Sequence, residues 1–299
     1  LGLVLVSYFV WLNSSLGGLG NRWGTAVLAI VILFGLSIWL FIRQRRQLFE
    51  FWRWHSRLIL ISEAVFTLVY LFFIFLRLLN PDLWQPWLGG EKMLEIGFLN
   101  AIVKSAHMPP YDPFFAGGII NYYYYGLYLV GVLIKVTGIQ PSIAFNLAVP
   151  TLAGHLGPGS RQPAIAGRSD LNAIGAGLLA ILLVLFIGNL DGAGQLMRDL
   201  ARLSTSNFQS AIPGLQTLVL SMGGVTHLVR GETLITYNYW DPTRVIPATI
   251  NEFPYFSFLF ADLHPHMIGI PFTVLFLSLA YNWLRPTEPT SLRSQPAIR

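Results

Sequence analysis

The sequence contains no cysteine. That absence excludes disulfides, thiolate chemistry, and zinc or iron–sulfur centres held by cysteine. Charge is scarce too: Asp, Glu, Lys and Arg supply 11% of the 299 residues, against about a quarter in an average soluble domain. No GxGxxG pattern, phosphate loop or internal repeat occurs. The first residues, "LGLVLVSYFVWL", carry no basic leader and no small-residue cleavage site, so they do not read as a signal peptide. They open inside an apolar helix with no initiator Met, and the chain is read as a piece of something longer.

Apolar surface is what the sequence has in excess. Hydrophobic residues make up 54% of it, with a mean hydropathy of +0.57. Runs at 27–42, 58–76, 127–136, 173–187 and 267–284 reach or approach the length of about 20 residues that crosses a bilayer. The pattern predicts an all-α polytopic membrane bundle of about six to eight transmembrane helices. It forms one membrane-embedded domain over 1–284, followed by a polar tail or linker at 285–299. The net charge of +5 does not point to nucleic acid, because the arginines cluster beside apolar runs, where they set topology. Segment 42–57, with Arg43, Arg45, Arg46, Arg53 and Arg57, is read as a cytoplasmic loop. A large outer loop then covers 79–118, and a second outer region 188–266. Within the first, 93–106 reads as a helix lying on the membrane surface, stopped by Pro109-Pro110. Segment 154–170, with Arg161 and Arg168, is too polar to span.

Carboxylates near hydrocarbon are costly, so their positions are informative. Glu91, Glu95, Asp112, Asp191, Asp241, Glu252 and Asp262 all fall at the outer ends of predicted spans, which suggests a polar chamber at one face or simply wet loops. The cluster "DLHPH" places His264 and His266 two residues apart, on one side of an extended backbone. Asp262, His264 and His266 could converge on a divalent metal ion or a phosphate, or the histidines could serve only the helix end. The stretch "GGIINYYYYGLYLVG" sets Tyr122, Tyr123, Tyr124 and Tyr125 between Asn121 and Gly126. A headgroup-level aromatic belt accounts for some of these rings. The others could line a site, offering hydroxyl donors and flat faces to a sugar or phosphate.

The blocks "GGEKMLEIGFLNAI", "PPYDPFFAGGIINYYYYG", "GNLDG" and "TRVIPATINEFPYFSFLFADLHPHMIGIPF" occur in this order. Together they resemble the Chlor_Arch_YYY membrane proteins of Chloroflexota and archaea, named for a YYY-x-G motif. More distantly the layout is similar to that of the GT-C membrane glycosyltransferases. That likeness implies a prokaryotic plasma membrane protein with its site on the non-cytoplasmic face. It also implies a polyprenyl-phosphate sugar as lipid-linked donor, and a catalytic carboxylate in the first outer loop, with Glu95 preferred as the base and Glu91 as the alternative. Asp112, Asn121, Tyr122 to Tyr125, Arg244, Asn251 and Glu252 would then bind substrate, and Asp262, His264 and His266 a metal. Two other classes stay open: a non-catalytic subunit of a larger membrane complex, and a transporter of lipid-linked solutes.

Overall fold

The computed structural model describes residues 1–85, 90–156, 175, 178–179, 181–188, 190–232, 238 and 240–284. Regular structure among them is helical, apart from one antiparallel bridge between Tyr111 and Ile119. The expected loop residues Arg161 and Arg168 and the tail 285–299 lie outside the described residues. By packing the chain falls into two units, residues 1–177 with 263–299, and residues 178–262.

The first unit holds α1 (Gly2–Ser15), α2 (Trp23–Leu79), α3 (Lys92–Lys104), α4 (Tyr124–Thr137) and α5 (Pro141–Leu156). A last helix, which we number α9 (Pro265–Leu284), returns to it. Of the described helices, α2 and α9 are long and apolar enough to cross a membrane, and α1 and α4 are shorter apolar helices. The predicted spans at 58–76, 127–136 and 267–284 fall within α2, α4 and α9.

Segment 42–57 departs from expectation: it is helical, not a loop. It contains no Gly, Pro or Asn, and its Arg, Gln, Leu and Glu residues are strong helix formers, so nothing interrupts the hydrogen-bond ladder. A straight helix of 57 residues would run about 86 Å. Both ends of α2 nonetheless meet the same cluster of short helices. Asn21, just before the helix, donates to the Ile102 and Ser105 carbonyls at the end of α3, at 2.9 and 3.0 Å. Arg77, in the last turn, donates through Nε and Nη2 to Asn146 Oδ1 in α5, at 2.8 and 2.6 Å. Since α3 and α5 are only about 20 and 24 Å long, α2 cannot be a straight rod and must bend back. The Phe41 and Phe49 rings are in contact within α2, 6.2 Å between centres.

Helix α3 matches the predicted 93–106 but does not behave as a peripheral surface helix. Ile96, Leu99, Ala101 and Ile102 are buried, and the helix packs on α4 and α5. The buried residues of those two helices include Leu127, Tyr128, Phe145 and Val149. Protein, rather than lipid, covers the apolar face of this helix.

The second unit begins with a π-helical stretch, Leu182–Ile187, which is the described end of the predicted span 173–187. It continues through α6 (Asp191–Leu203), α7 (Pro213–Val229), a 3-10 turn (Asp241–Thr243) and α8 (Pro254–Phe260). Helix α6 packs along α7, and the approach is close because Gly224 has no side chain: a Cβ there would run into the Leu200 carbonyl. Trp240 closes the unit's aromatic core, its ring 5.6 Å from Phe256 and 5.3 Å from Phe260.

Candidate functional site

Three chain segments of the first unit converge on one carboxylate. Glu91 is the residue at the mouth of α3, and Glu95 lies one turn further on the same face. The positive end of the helix dipole favours a carboxylate at both places. Glu91 keeps 47% of its side chain exposed, whereas Glu95 is completely buried.

Tyr123 approaches from the start of α4. It stands just before the first helical residue with φ 23° and ψ 36°, a left-handed conformation that a large side chain rarely adopts. From there its hydroxyl donates to Glu91 Oε2 at 2.7 Å. Burial holds its phenol well above the ordinary tyrosine value, and the bond to Glu91 and that residue's negative charge push it the same way. Tyr123 is therefore a donor, not a phenolate.

The third segment is the turn into α9. The Leu263 backbone N–H donates to Glu95 Oε2 at 2.7 Å, and both groups are buried. This bond ties residues 168 positions apart. It presents the next residue, His264, with Nε2 3.5 Å from Glu91 Oε2. Pro265 then opens α9, where a missing N–H is harmless. His266 follows with its ring 5.1 Å from that of His264. Gly126 permits the approach of α9 to α4, since a Cβ there would meet Ile268 at 3.0 Å. One oxygen or nitrogen from each of Glu91, Glu95 and His264 lies within 4.8 Å of the others, so these three could hold a divalent cation.

The tyrosine block divides by direction. Tyr122 is exposed, and its ring meets that of Tyr123 at 3.9 Å. Tyr124 accepts a hydrogen bond from Trp11 Nε1 of α1 at 2.8 Å. Tyr125 meets Trp11 edge-on at 5.9 Å and stacks on Tyr128 at 5.8 Å. Tyr8 stacks on the other side of Trp11 at 6.1 Å. Aromatic contacts through Trp11 thus join α1 to α4.

Of the remaining predicted residues, Asp112, Asn251 and Arg244 bond within their own segments. Asp112 Oδ1 accepts the Phe114 N–H at 2.8 Å, and the Asp112 N–H donates to the Gly118 carbonyl at 3.0 Å, so this side chain holds its own loop. Asn121 is exposed between that loop and the tyrosines. In the second unit Asn251 Oδ1 accepts the Ile246 N–H at 3.1 Å. Arg244 reaches back to Thr243. Glu252 is half-buried and Asp262 buried there. Trp11 and the Leu263 N–H had no signal in the sequence. A tryptophan in an apolar helix reads as belt, and a backbone donor has no side-chain signature.

The family model described as "Uncharacterized membrane protein (DUF2298)" matches residues 5–298. The chain belongs to the DUF2298 family. No curated protein and no solved structure matches it. As a DUF2298 member it is a membrane protein, which agrees with its composition and its two long apolar helices. The match includes all three site segments, so the Glu91–Tyr123–His264 constellation belongs to the family domain and not to an appended region.

Proposed function

We propose that this chain is a membrane glycosyltransferase of GT-C type. It moves a sugar from a polyprenyl-phosphate donor to an acceptor hydroxyl at the non-cytoplasmic face of a prokaryotic plasma membrane. Its bundle would comprise six to eight spans, with other membrane subunits as partners where the acceptor requires them. The observation that supports the reading is the convergence on Glu91 of Tyr123 at 2.7 Å and His264 at 3.5 Å.

The chemistry follows from the exposures. Glu91 is the carboxylate that an acceptor can reach, and it takes the proton of the acceptor hydroxyl as that oxygen attacks the anomeric carbon. The new carbon–oxygen bond forms as the bond from that carbon to the donor phosphate breaks, and the electron pair leaves with polyprenyl phosphate. Phosphate departs without protonation but gains charge, and His264, when protonated, stabilises it. Glu95, bonded to the Leu263 N–H, keeps His264 in register. Tyr122 and Tyr125, with Trp11, offer flat faces along which a sugar or isoprenoid chain can lie.

A general base of this kind contributes a factor of about 10² to 10⁴. Reconstituted protein, given a panel of polyprenyl-phosphate hexoses and a hydroxyl acceptor, should transfer sugar, and Glu91→Gln should lower the rate by about that factor. No transfer from any donor, or full turnover by the variant, would overturn the reading. A divalent ion is a second arrangement, favoured by the 4.8 Å spacing of Glu91, Glu95 and His264. In that case Glu91, Glu95 and His264 would hold the ion, which would supply charge stabilisation for the departing phosphate, and chelation should abolish transfer that added Mg²⁺ or Mn²⁺ restores.

A further inference from the structure

The middle of α2 takes no part in this site. Between residues 42 and 57 it carries Arg43, Arg45, Arg46, Arg53 and Arg57 against a single acid, Glu50. All five arginines are exposed, and none belongs to an ion pair among the described residues. Aromatic rings are interleaved with them: Phe49, Phe51, Trp52 and Trp54 are exposed, the last by 82%. The Arg43 guanidinium lies over the Trp39 ring, 4.8 Å from its centre.

On both sides the helix continues as bare apolar surface. Phe34, Leu36, Ile38 and Leu40 are exposed before the basic stretch, and Leu60, Leu68 and Leu71 after it. Such surface belongs in hydrocarbon. Both ends of α2 reach the same short helices, so the two apolar flanks enter one bilayer from one side. The arginines, between those two flanks, then lie at headgroup depth, with the indoles beside them.

We propose that residues 43–57 of α2 form a binding surface for the headgroups of anionic phospholipids. Guanidinium forks match phosphate oxygens in pairs. Each basic residue near an anionic surface gains about fivefold in association, and five along one helical stretch select acidic lipid from a zwitterionic bilayer. The proposal is independent of the transferase reading.

Brominated lipids quench tryptophan only on contact, and they provide the test. The chain is placed in phosphatidylcholine nanodiscs in which about one lipid in ten is brominated, either phosphatidylglycerol or phosphatidylcholine. We expect brominated phosphatidylglycerol to quench at least about fivefold more per molecule. Raising NaCl to about 0.5 M should shrink the excess, and inorganic phosphate at constant ionic strength should leave it unchanged. Replacing all five arginines by Gln should abolish it. Should that variant fail to fold, Trp39→Phe, Trp52→Phe and Trp54→Phe together, with the arginines intact, should remove the phosphatidylglycerol-specific part alone. Equal quenching by the two lipids, or an excess that survives either variant, overturns the proposal.

Discussion

Two glutamates one helical turn apart have opposite environments. Glu91 stands partly in solvent with a phenol and an imidazole on it, while Glu95 is fully enclosed and accepts a backbone N–H. Their substitutions should therefore separate. Glu95→Gln keeps an acceptor for Leu263, whereas Glu95→Leu leaves a buried N–H unsatisfied, which costs about 1–3 kcal/mol. Thermal unfolding should show the Leu variant several degrees below the Gln variant; equal melting temperatures would remove the positioning role. Tyr123 yields a pH prediction. Its phenol is raised by burial and by Glu91, so the protonated form is favoured in the folded state. Any stability it contributes is complete below the unfolded tyrosine value of about 10 and lost only at higher pH. Tyr123→Phe should therefore leave the ultraviolet titration of tyrosines unchanged up to that pH. A missing transition below it would contradict the assignment.

Elements meet where small residues allow. Gly126 admits Ile268, and with it the start of α9, to within contact of α4. Gly126→Val should push α9 outward, separating His264 from Glu91 and lowering any Glu91-dependent activity more than it lowers the melting temperature. Gly224 is less forgiving, because the atom a Cβ would meet is the backbone carbonyl of Leu200, which cannot swing aside. Gly224→Ala should destabilise the α6–α7 pair by about 1–3 kcal/mol or more. Hydrogen exchange in α6 and α7 would register it, and unchanged protection there would show that the helices can separate at little cost. Helix positions were largely legible in advance, because apolar runs and proline stops marked α3, α4 and α9. The basic segment of α2 was not, since charge argues for a loop while residue propensity argues for helix, and propensity prevailed.

At the scale of the molecule, α2 decides how the chain meets the membrane. Its two ends meet the same short helices, with the arginines between the apolar halves. Because the sequence has no cysteine, single introduced thiols report their side of the membrane cleanly. Gln47→Cys, in the basic stretch, should be protected from an impermeant maleimide in intact cells. Tyr122→Cys, beside the candidate site, should be labelled. Protection of Tyr122→Cys in intact cells, with labelling only once the membrane is opened, would place the site on the cytoplasmic face and remove the proposed outer-face transfer.

Composition alone determined that this is a helical membrane protein, because apolar surface in such excess and charge so scarce have no other solvent. The positions of seven carboxylates, the tyrosine block and the histidine pair at 264 and 266 marked candidate site residues without choosing among them. Which of them meet was decided only by tertiary packing. The Leu263–Glu95 bond spans 168 positions, and no local pattern encodes a contact whose partners lie on separate helices. The division of roles between the glutamates was likewise set by burial, a property of neighbours and not of the residue itself.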